Sequence, residues 1–312
     1  VTINILFSAP AADWPEYGPH LKAALSEAGI DARISPECPD PAKVDYIVYA
    51  PNGGLSDFAP FTRCKAVLSL WAGVERIVTN PTLTQPLCRM VDPGLTEGMV
   101  EYVTGHVLRH HLGMDAHILG KDGIWRNSVR PPIARERPVA VLGLGELGSA
   151  VAQALVGLNF PVAGWSRTPR SVPGVTCHSG EDGLEAVLRQ AQILVLLLPL
   201  TDDTRDLLDA RRLALLPEGA FIVNPGRGPL IDDDALLAAL DAGRVAHATL
   251  DVFRTEPLPP GHRYWAHPRV TVTPHIAADT RAVTATRVIA ENIRRGEAGE
   301  PFLHRVDRGR GY

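Results

Sequence analysis

Short unbroken apolar blocks alternate along this chain with longer stretches in which apolar residues recur at helical spacing. The first kind reads as buried strands of a parallel sheet, the second as helices lying over it. In the N-terminal third, strands are expected at 3–8, 46–49 and 66–70. A helix is expected from Tyr17 to Ala28, with Leu21, Leu25 and Ala28 on one face and Gly29 as its stop signal. The proline-free run from Gly98 to Leu119 reads as one long helix, and the turn-rich stretch 127–138 as a connection. Beyond it the alternation becomes regular. Strands are expected at 139–142, 162–165, 193–198, 221–224, 246–250 and 270–273, with helices at 147–155, 183–190 and 232–242. The last of these opens on acidic residues and closes at Gly243. Six strands with helices between most of them make a complete doubly wound dinucleotide domain. The final stretch, 291–312, is polar and basic and reads as a tail returning to the first domain.

Composition narrows the class. A chain of 312 residues has room for two domains, and 45% hydrophobic with 21% charged residues is ordinary for a globular enzyme. The net charge of -4 gives no reason to expect nucleic acid as a partner. The densest apolar run, 193–198, is far shorter than the roughly 20 residues of a membrane helix. The N-terminus reads as a buried strand and not as a signal peptide. Cys38, Cys64, Cys88 and Cys177 are scattered without a CxxC pair, so neither zinc nor a disulfide framework is indicated, and a cytoplasmic location is expected.

The strand at 139–142 runs into Gly143-Leu-Gly145-Glu-Leu-Gly148 and then a helix. In this context Gly143 permits the tight turn, Gly145 lets the backbone approach a pyrophosphate, and Gly148 lets helix and strand pack closely. The next strand ends in Trp165-Ser166-Arg167-Thr168-Pro169-Arg170. An NAD enzyme usually places an acidic residue here for the ribose 2′-hydroxyl, yet none occurs between Gly148 and Glu181. Ser166, Arg167 and Thr168 offer donors and positive charge suited to a 2′-phosphate, so NADP(H) is preferred and NAD(H) would serve less efficiently.

Three polar residues follow the later strands: Arg227 in Asn224-Pro-Gly-Arg-Gly228, Glu256 in Asp251-Val-Phe-Arg-Thr-Glu256, and His275 in Thr273-Pro-His-Ile-Ala277. Open α/β sheets bind ligands at these carboxyl ends. Reduction of a 2-keto acid needs a hydride at C2 and a proton at the keto oxygen. A protonated histidine is a suitable acid near neutral pH. Glu256 would orient His275 and favour its charged form. Arg227 would clamp a carboxylate and stabilise charge growing on the keto oxygen, and Asp251 would receive the nicotinamide carboxamide. His106 and His110, four apart on a helix, are read with His111 as helix-face residues, because no HExxH pattern surrounds them. Arg305, Arg308 and Arg310 are read as solvated or interdomain charges.

Together these motifs resemble the D-2-hydroxyacid dehydrogenase family, and within it the bacterial glyoxylate/hydroxypyruvate reductases. The resemblance extends from Leu70 onward and includes Trp71-Ala-Gly-Val-Glu75, Trp165-Ser-Arg-Thr168, Pro173-Gly-Val175 and Val306-Asp-Arg-Gly-Arg-Gly-Tyr312. It implies an α/β protein of two domains, a Rossmann-type doubly wound parallel sheet inserted into a flavodoxin-like substrate (lid) domain. The lid would comprise 1–98 and 286–312, and the dinucleotide domain 99–285. It implies NADPH-dependent reduction of glyoxylate to glycolate and hydroxypyruvate to D-glycerate, with Arg227, Glu256 and His275 catalytic. Trp71, Ala72, Gly73 and Val74 would join Arg227 and His275 in binding substrate. The cofactor set would be Gly143, Gly145, Glu146, Leu147, Gly148, Ser166, Arg167, Thr168, Pro199, Thr204, Asn224, Gly226, Asp251, His275 and Ala277. The resemblance also implies a homodimer; in relatives a tryptophan from the neighbouring subunit can reach the active site, and Trp125 is the candidate for it here. Pro225, where relatives often carry another small residue, removes one backbone donor beside the cofactor. Two other readings stand beside this one: a reductase of the family with a bulkier substrate, and a non-catalytic dinucleotide sensor of the same fold.

Overall fold

The apolar blocks become the interior strands of two parallel sheets. The structure, a computed structural model, describes residues 2–120, 122–125, 130–309 and 311. Asn127, Arg310 and Tyr312, which the sequence reading includes, lie outside the described residues.

In chain order the elements are β1 (Ile3–Ser8), α1 (Trp14–Glu27), β2 (Ala32–Ser35), β3 (Tyr46–Tyr49), β4 (Ala66–Ser69) and β5 (Leu87–Cys88). Next come α2 (Pro93–His111), α3 (Met114–Ile118), β6 (Val139–Leu142), α4 (Glu146–Gly157), β7 (Val162–Trp165), β8 (Val175–His178) and α5 (Gly180–Gln190). The chain continues through β9 (Ile193–Leu196), α6 (Ala210–Leu213), β10 (Ala220–Asn224), α7 (Asp233–Asp241), β11 (Val245–Leu250), α8 (Arg263–Ala266), β12 (Val270–Val272) and α9 (Ala282–Ala298).

Two compact units share these elements: 1–95 with 279–312, and 96–278. The sequence reading set the crossings at 98/99 and 285/286; the second observed break falls ahead of α9 and leaves that helix whole. The first unit holds a five-stranded sheet in the order β2-β1-β3-β4-β5. Its strand pairs are parallel. Leu21 and Leu25 of α1, with Ala285, Ile289 and Ile293 of α9, pack on one face against Ile5, Phe7, Val48 and Leu68. The opposite face is covered by Phe58, Val74, Ile77, Leu83 and Val306.

The second unit holds a seven-stranded sheet in the order β12-β11-β10-β9-β6-β7-β8. Its pairs are parallel too. The order reverses at β6, which sits between β9 and β7; this reversal is where doubly wound sheets open a ligand crevice. Buried side chains cover both faces, Leu184, Leu236 and Tyr264 on one, Val103, Val107 and Val151 on the other.

Several elements differ from expectation. The long helix starts at Pro93 and stops at His111, because Gly113 turns left-handed at φ 62° and α3 starts anew after it. The edge strands β2 and β8 are half-exposed and carry weak apolar patterns. The stretch from Glu291 to Ala298, read as tail, completes α9. Among the described residues no helix is long and apolar enough to cross a membrane.

Candidate active site

The glycine turn between β6 and α4 is dictated by close packing at two of its three glycines. A Cβ on Gly148 would sit 1.7 Å from the Gly143 carbonyl oxygen, and one on Gly143, held at φ 105°, would sit 2.5 Å from Leu197 O. Gly145 is different: nothing lies within 4 Å of a Cβ built there. Its small size is not required by the chain's own packing, and it leaves open the path by which a pyrophosphate would approach the first turn of α4. The turn therefore fits a dinucleotide.

At the end of β7, the Ser166 amide donates to His178 O at 3.1 Å and its hydroxyl to Thr168 O at 2.8 Å. Both bonds brace the turn. The exposed Arg167 guanidinium lies 3.7 Å from the exposed Asp203 carboxylate. Such a pair is weak and readily exchanged for a doubly charged phosphate. After β9, the Thr204 hydroxyl donates to Pro199 O at 2.7 Å and accepts from the Thr201 amide at 2.8 Å, so these two expected cofactor contacts belong to one closed turn.

The turn after β10 presents Arg227. The buried Asn224 side chain closes it, donating to Arg227 O at 3.0 Å and accepting from Gly226 N at 3.1 Å. Gly228 is needed because a Cβ there would sit 2.1 Å from the Phe253 carbonyl carbon. That close approach brings the Arg227 turn against the segment following β11. In that segment Arg254 is tied to Asp206 and, at 3.2 Å, to Asp233. Glu256 accepts the Phe253 amide on Oε1 at 2.8 Å. Its Oε2 lies 2.7 Å from His275 Nδ1. The ring nitrogen facing Glu256 is thus engaged, and Nε2 is the one left for a substrate. The His275 side chain is half-exposed.

His275 adopts a left-handed backbone, φ 57°, which a non-glycine residue keeps only when its surroundings hold it. Asp251 does the holding. Fully buried at the end of β11, it accepts the Thr273 hydroxyl at 2.6 Å and the Ile276 amide at 2.9 Å on Oδ1, and the Ala277 amide at 2.9 Å on Oδ2. Its carbonyl accepts the His275 amide at 2.9 Å. The Tyr102 hydroxyl of α2 lies 2.7 Å from Thr273 Oγ1 and completes the chain; burial raises this phenol's pKa. Asp251 and Ala277, expected as cofactor contacts, are therefore engaged first with each other. Tyr102 was missed, and no sequence motif marks it: it reaches Thr273 only because α2 packs on this sheet.

In the first unit, Ser69 braces the expected substrate segment. Its hydroxyl accepts the Trp71 amide at 3.0 Å and donates to Trp71 O at 3.1 Å. The Arg76 guanidinium lies 5.8 Å from the Trp71 ring centre. Ala72 and Gly73 are half-buried and Val74 is buried. The histidines of α2, expected as helix-face residues, pack against neighbouring side chains. His110 bonds Thr249 at 2.9 Å and stacks on Phe221, His111 meets Phe160 edge-on, and His106 lies against Tyr102. Among the described residues no group of three or more His, Cys, Asp or Glu side chains is arranged to hold a metal ion. Trp125 is 89% exposed.

A doubly wound sheet whose reversal point carries a glycine turn, beside an Arg-Glu-His set at the strand ends, defines a nucleotide-dependent oxidoreductase. Comparison with known proteins makes this specific. Residues 104–277 match the model of the D-isomer specific 2-hydroxyacid dehydrogenase NAD binding domain. A D-isomer specific 2-hydroxyacid dehydrogenase from Xanthobacter autotrophicus Py2, solved with NADPH and MES, is 42% identical over the whole of both chains, with a TM-score of 0.89. An NADPH-dependent glyoxylate/hydroxypyruvate reductase from Sinorhizobium meliloti, solved with NADP and sulfate, is 34% identical over 100% of this chain and 99% of that one, with a TM-score of 0.84. A probable 2-hydroxyacid dehydrogenase from Rhizobium etli CFN 42, solved with NADP, HEPES and L(+)-tartaric acid, is 29% identical over 100% and 99% of the two chains, with a TM-score of 0.85. The chain belongs to the D-isomer specific 2-hydroxyacid dehydrogenase family.

Proposed function

We propose that this protein is an NADPH-dependent reductase of small 2-keto acids, converting glyoxylate to glycolate and hydroxypyruvate to D-glycerate. The observation that carries the reading is the 2.7 Å contact between Glu256 and His275, on a segment that Asp251 holds rigid. When bound, NADPH supplies the hydride. His275 donates the proton from Nε2 to the keto oxygen, with Glu256 fixing the ring from the other side. Arg227 clamps the substrate carboxylate and steadies the charge that grows on the keto oxygen. Trp71, Ala72, Gly73 and Val74 supply the remaining substrate contacts, the backbone amides of 72–74 facing the carboxylate.

Gly143, Gly145, Glu146, Leu147 and Gly148 hold the pyrophosphate, Ser166, Arg167 and Thr168 the 2′-phosphate, and Pro199, Thr204, Asn224, Gly226, Asp251, His275 and Ala277 the nicotinamide half. NADP-bound relatives support this preference. The reading includes a cytoplasmic homodimer. The exposed Ile118, Leu119, Ile124, Trp125 and Ile133 support pairing, since an apolar stretch of this kind marks an interaction surface.

The test is oxidation of NADPH and of NADH at 340 nm with glyoxylate, hydroxypyruvate, pyruvate and a branched keto acid. Turnover with the two small acids and NADPH is expected. Turnover with the branched acid alone moves the substrate assignment, and NADPH binding without any turnover sinks the reductase reading in favour of a sensor.

A further inference from the structure

The C-terminal arginines read from sequence as solvated or interdomain charges include one that is built into the first unit. From His304 to Arg308 the tail is joined to the edge of the first unit's sheet at successive positions. Arg89 N donates to His304 O at 3.1 Å, Arg305 bridges Cys88 antiparallel, and Val306 N donates to Leu87 O at 2.8 Å. The Val306 side chain enters the apolar cluster of Val74, Ile77, Val78 and Leu83. Two residues on, the Arg308 guanidinium spreads over three backbone carbonyls of one loop. It donates from Nε to Val78 O at 3.1 Å, from one terminal nitrogen to Leu83 O, and from the other to Asn80 O at 2.9 Å.

That loop is continuous with the segment assigned to the substrate carboxylate. The carbonyl of Val74, its last residue, accepts the amides of both Ile77 and Val78 at 3.0 and 2.9 Å. Val78 O then accepts from Arg308. A guanidinium meets carbonyls spread from 78 to 83 with donors fixed in a planar fork, whereas an ammonium offers rotatable donors on a single point charge. Val74, Ile77, Val78 and Leu83 bury their side chains, but Arg76, Thr79 and Pro81 between them are exposed, so apolar packing alone does not set the backbone of this loop. What the guanidinium adds is a fixed path for the backbone.

We propose that Arg308 is a positioning residue: it fixes the loop from Val74 to Leu83 and thereby holds the amides of Ala72, Gly73 and Val74 in register for a carboxylate. The inference rests on the substrate role given to those three residues. The test uses the full chain with Arg308→Ala and Arg308→Lys. Hydrogen exchange read by mass spectrometry reports on residues 72–84 whether or not any substrate is turned over. The KM for glyoxylate at saturating NADPH reports on the amides.

Faster exchange confined to this stretch is expected in R308A. With it should come a rise of about tenfold in KM for glyoxylate, with kcat and NADPH affinity little changed. Millimolar guanidinium ion should recover part of the lost KM. R308K should resemble the alanine variant, and it carries the test if R308A does not fold. Unaltered exchange overturns the clamp. Altered exchange with an unaltered KM, in an active enzyme, overturns the positioning role. A wild type that reduces neither glyoxylate nor hydroxypyruvate overturns the proposed function together with that role, while the exchange result still decides the clamp.

Discussion

His275 and Glu256 divide the labour of one imidazole. The carboxylate takes Nδ1 at 2.7 Å and is itself pinned by the Phe253 amide, so the ring presents Nε2 in one orientation. Replacing His275 with Gln keeps a side chain of similar reach but removes the transferable proton. The expected loss in kcat is about 10²–10⁴-fold, with NADPH binding retained in a fluorescence titration. A kcat within threefold of wild type would remove His275 from the chemistry. Arg167 makes a different kind of prediction, because its exposed guanidinium, 3.7 Å from Asp203, stands at the end of β7 where a 2′-phosphate would bind. Arg167→Ala should raise the KM for NADPH by about 10–100-fold, the worth of a charged hydrogen bond, and leave the KM for NADH unaltered. Equal weakening toward both cofactors would show that Arg167 serves the fold and not the 2′-phosphate.

At the scale of elements, the segment after β12 is where the sheet positions the acid. Its left-handed residue is kept by four hydrogen bonds to Asp251, and the Tyr102–Thr273 pair extends that hold to α2. Tyr102→Phe removes one bond and should cost about 1 kcal/mol. Thr273→Val removes two and leaves the buried phenol without its acceptor, so it should cost about 1–3 kcal/mol more. Urea unfolding of the two variants measures that order; equal midpoints would show that the chain of hydroxyls carries no load. Much of this architecture was legible beforehand. β1, β3, β6 and β7 fall where uninterrupted apolar blocks put them, because an interior strand buries both faces and leaves a dense signal. The edge strands β2 and β8 are half-exposed and left none. α9 was not read as a helix, because much of its buried face is Ala282, Ala285, Thr286 and Ala290, small residues that give weak periodicity. In the site, residue types were legible from motif context, whereas Tyr102 was not. Its contact with Thr273 spans 171 positions and exists only after packing.

For the molecule as a whole, stability should depend on pH through histidines outside the Arg227–Glu256–His275 set. His110 and His247 sit together on α2 and β11, their rings 5.4 Å apart, each bonded to a threonine hydroxyl. Arg109 faces them from α2, with Asp115 of α3 paired to it. Burial, reinforced by neighbouring positive charge, lowers His110 from 6.5 to about 3 and His247 from 6.5 to about 4. The folded protein therefore keeps both rings neutral at pH values where the unfolded chain has taken up two protons. The unfolded state binds more protons between about pH 6.5 and pH 4, so stability falls as the solution is acidified through that window. With both sites contributing, the limiting slope is about 2.7 kcal/mol per pH unit. Urea midpoints at pH 7.5, 6.0 and 5.0 measure it. The double variant His110→Gln and His247→Gln keeps an amide within reach of each threonine and has nothing to titrate, so its profile should be flatter over the same range. Above pH 5 most carboxylates are still ionised in both states and contribute little to the slope, which leaves the histidines as its source. A double variant that loses stability on acidification as steeply as the parent would place the acid sensitivity elsewhere in the fold.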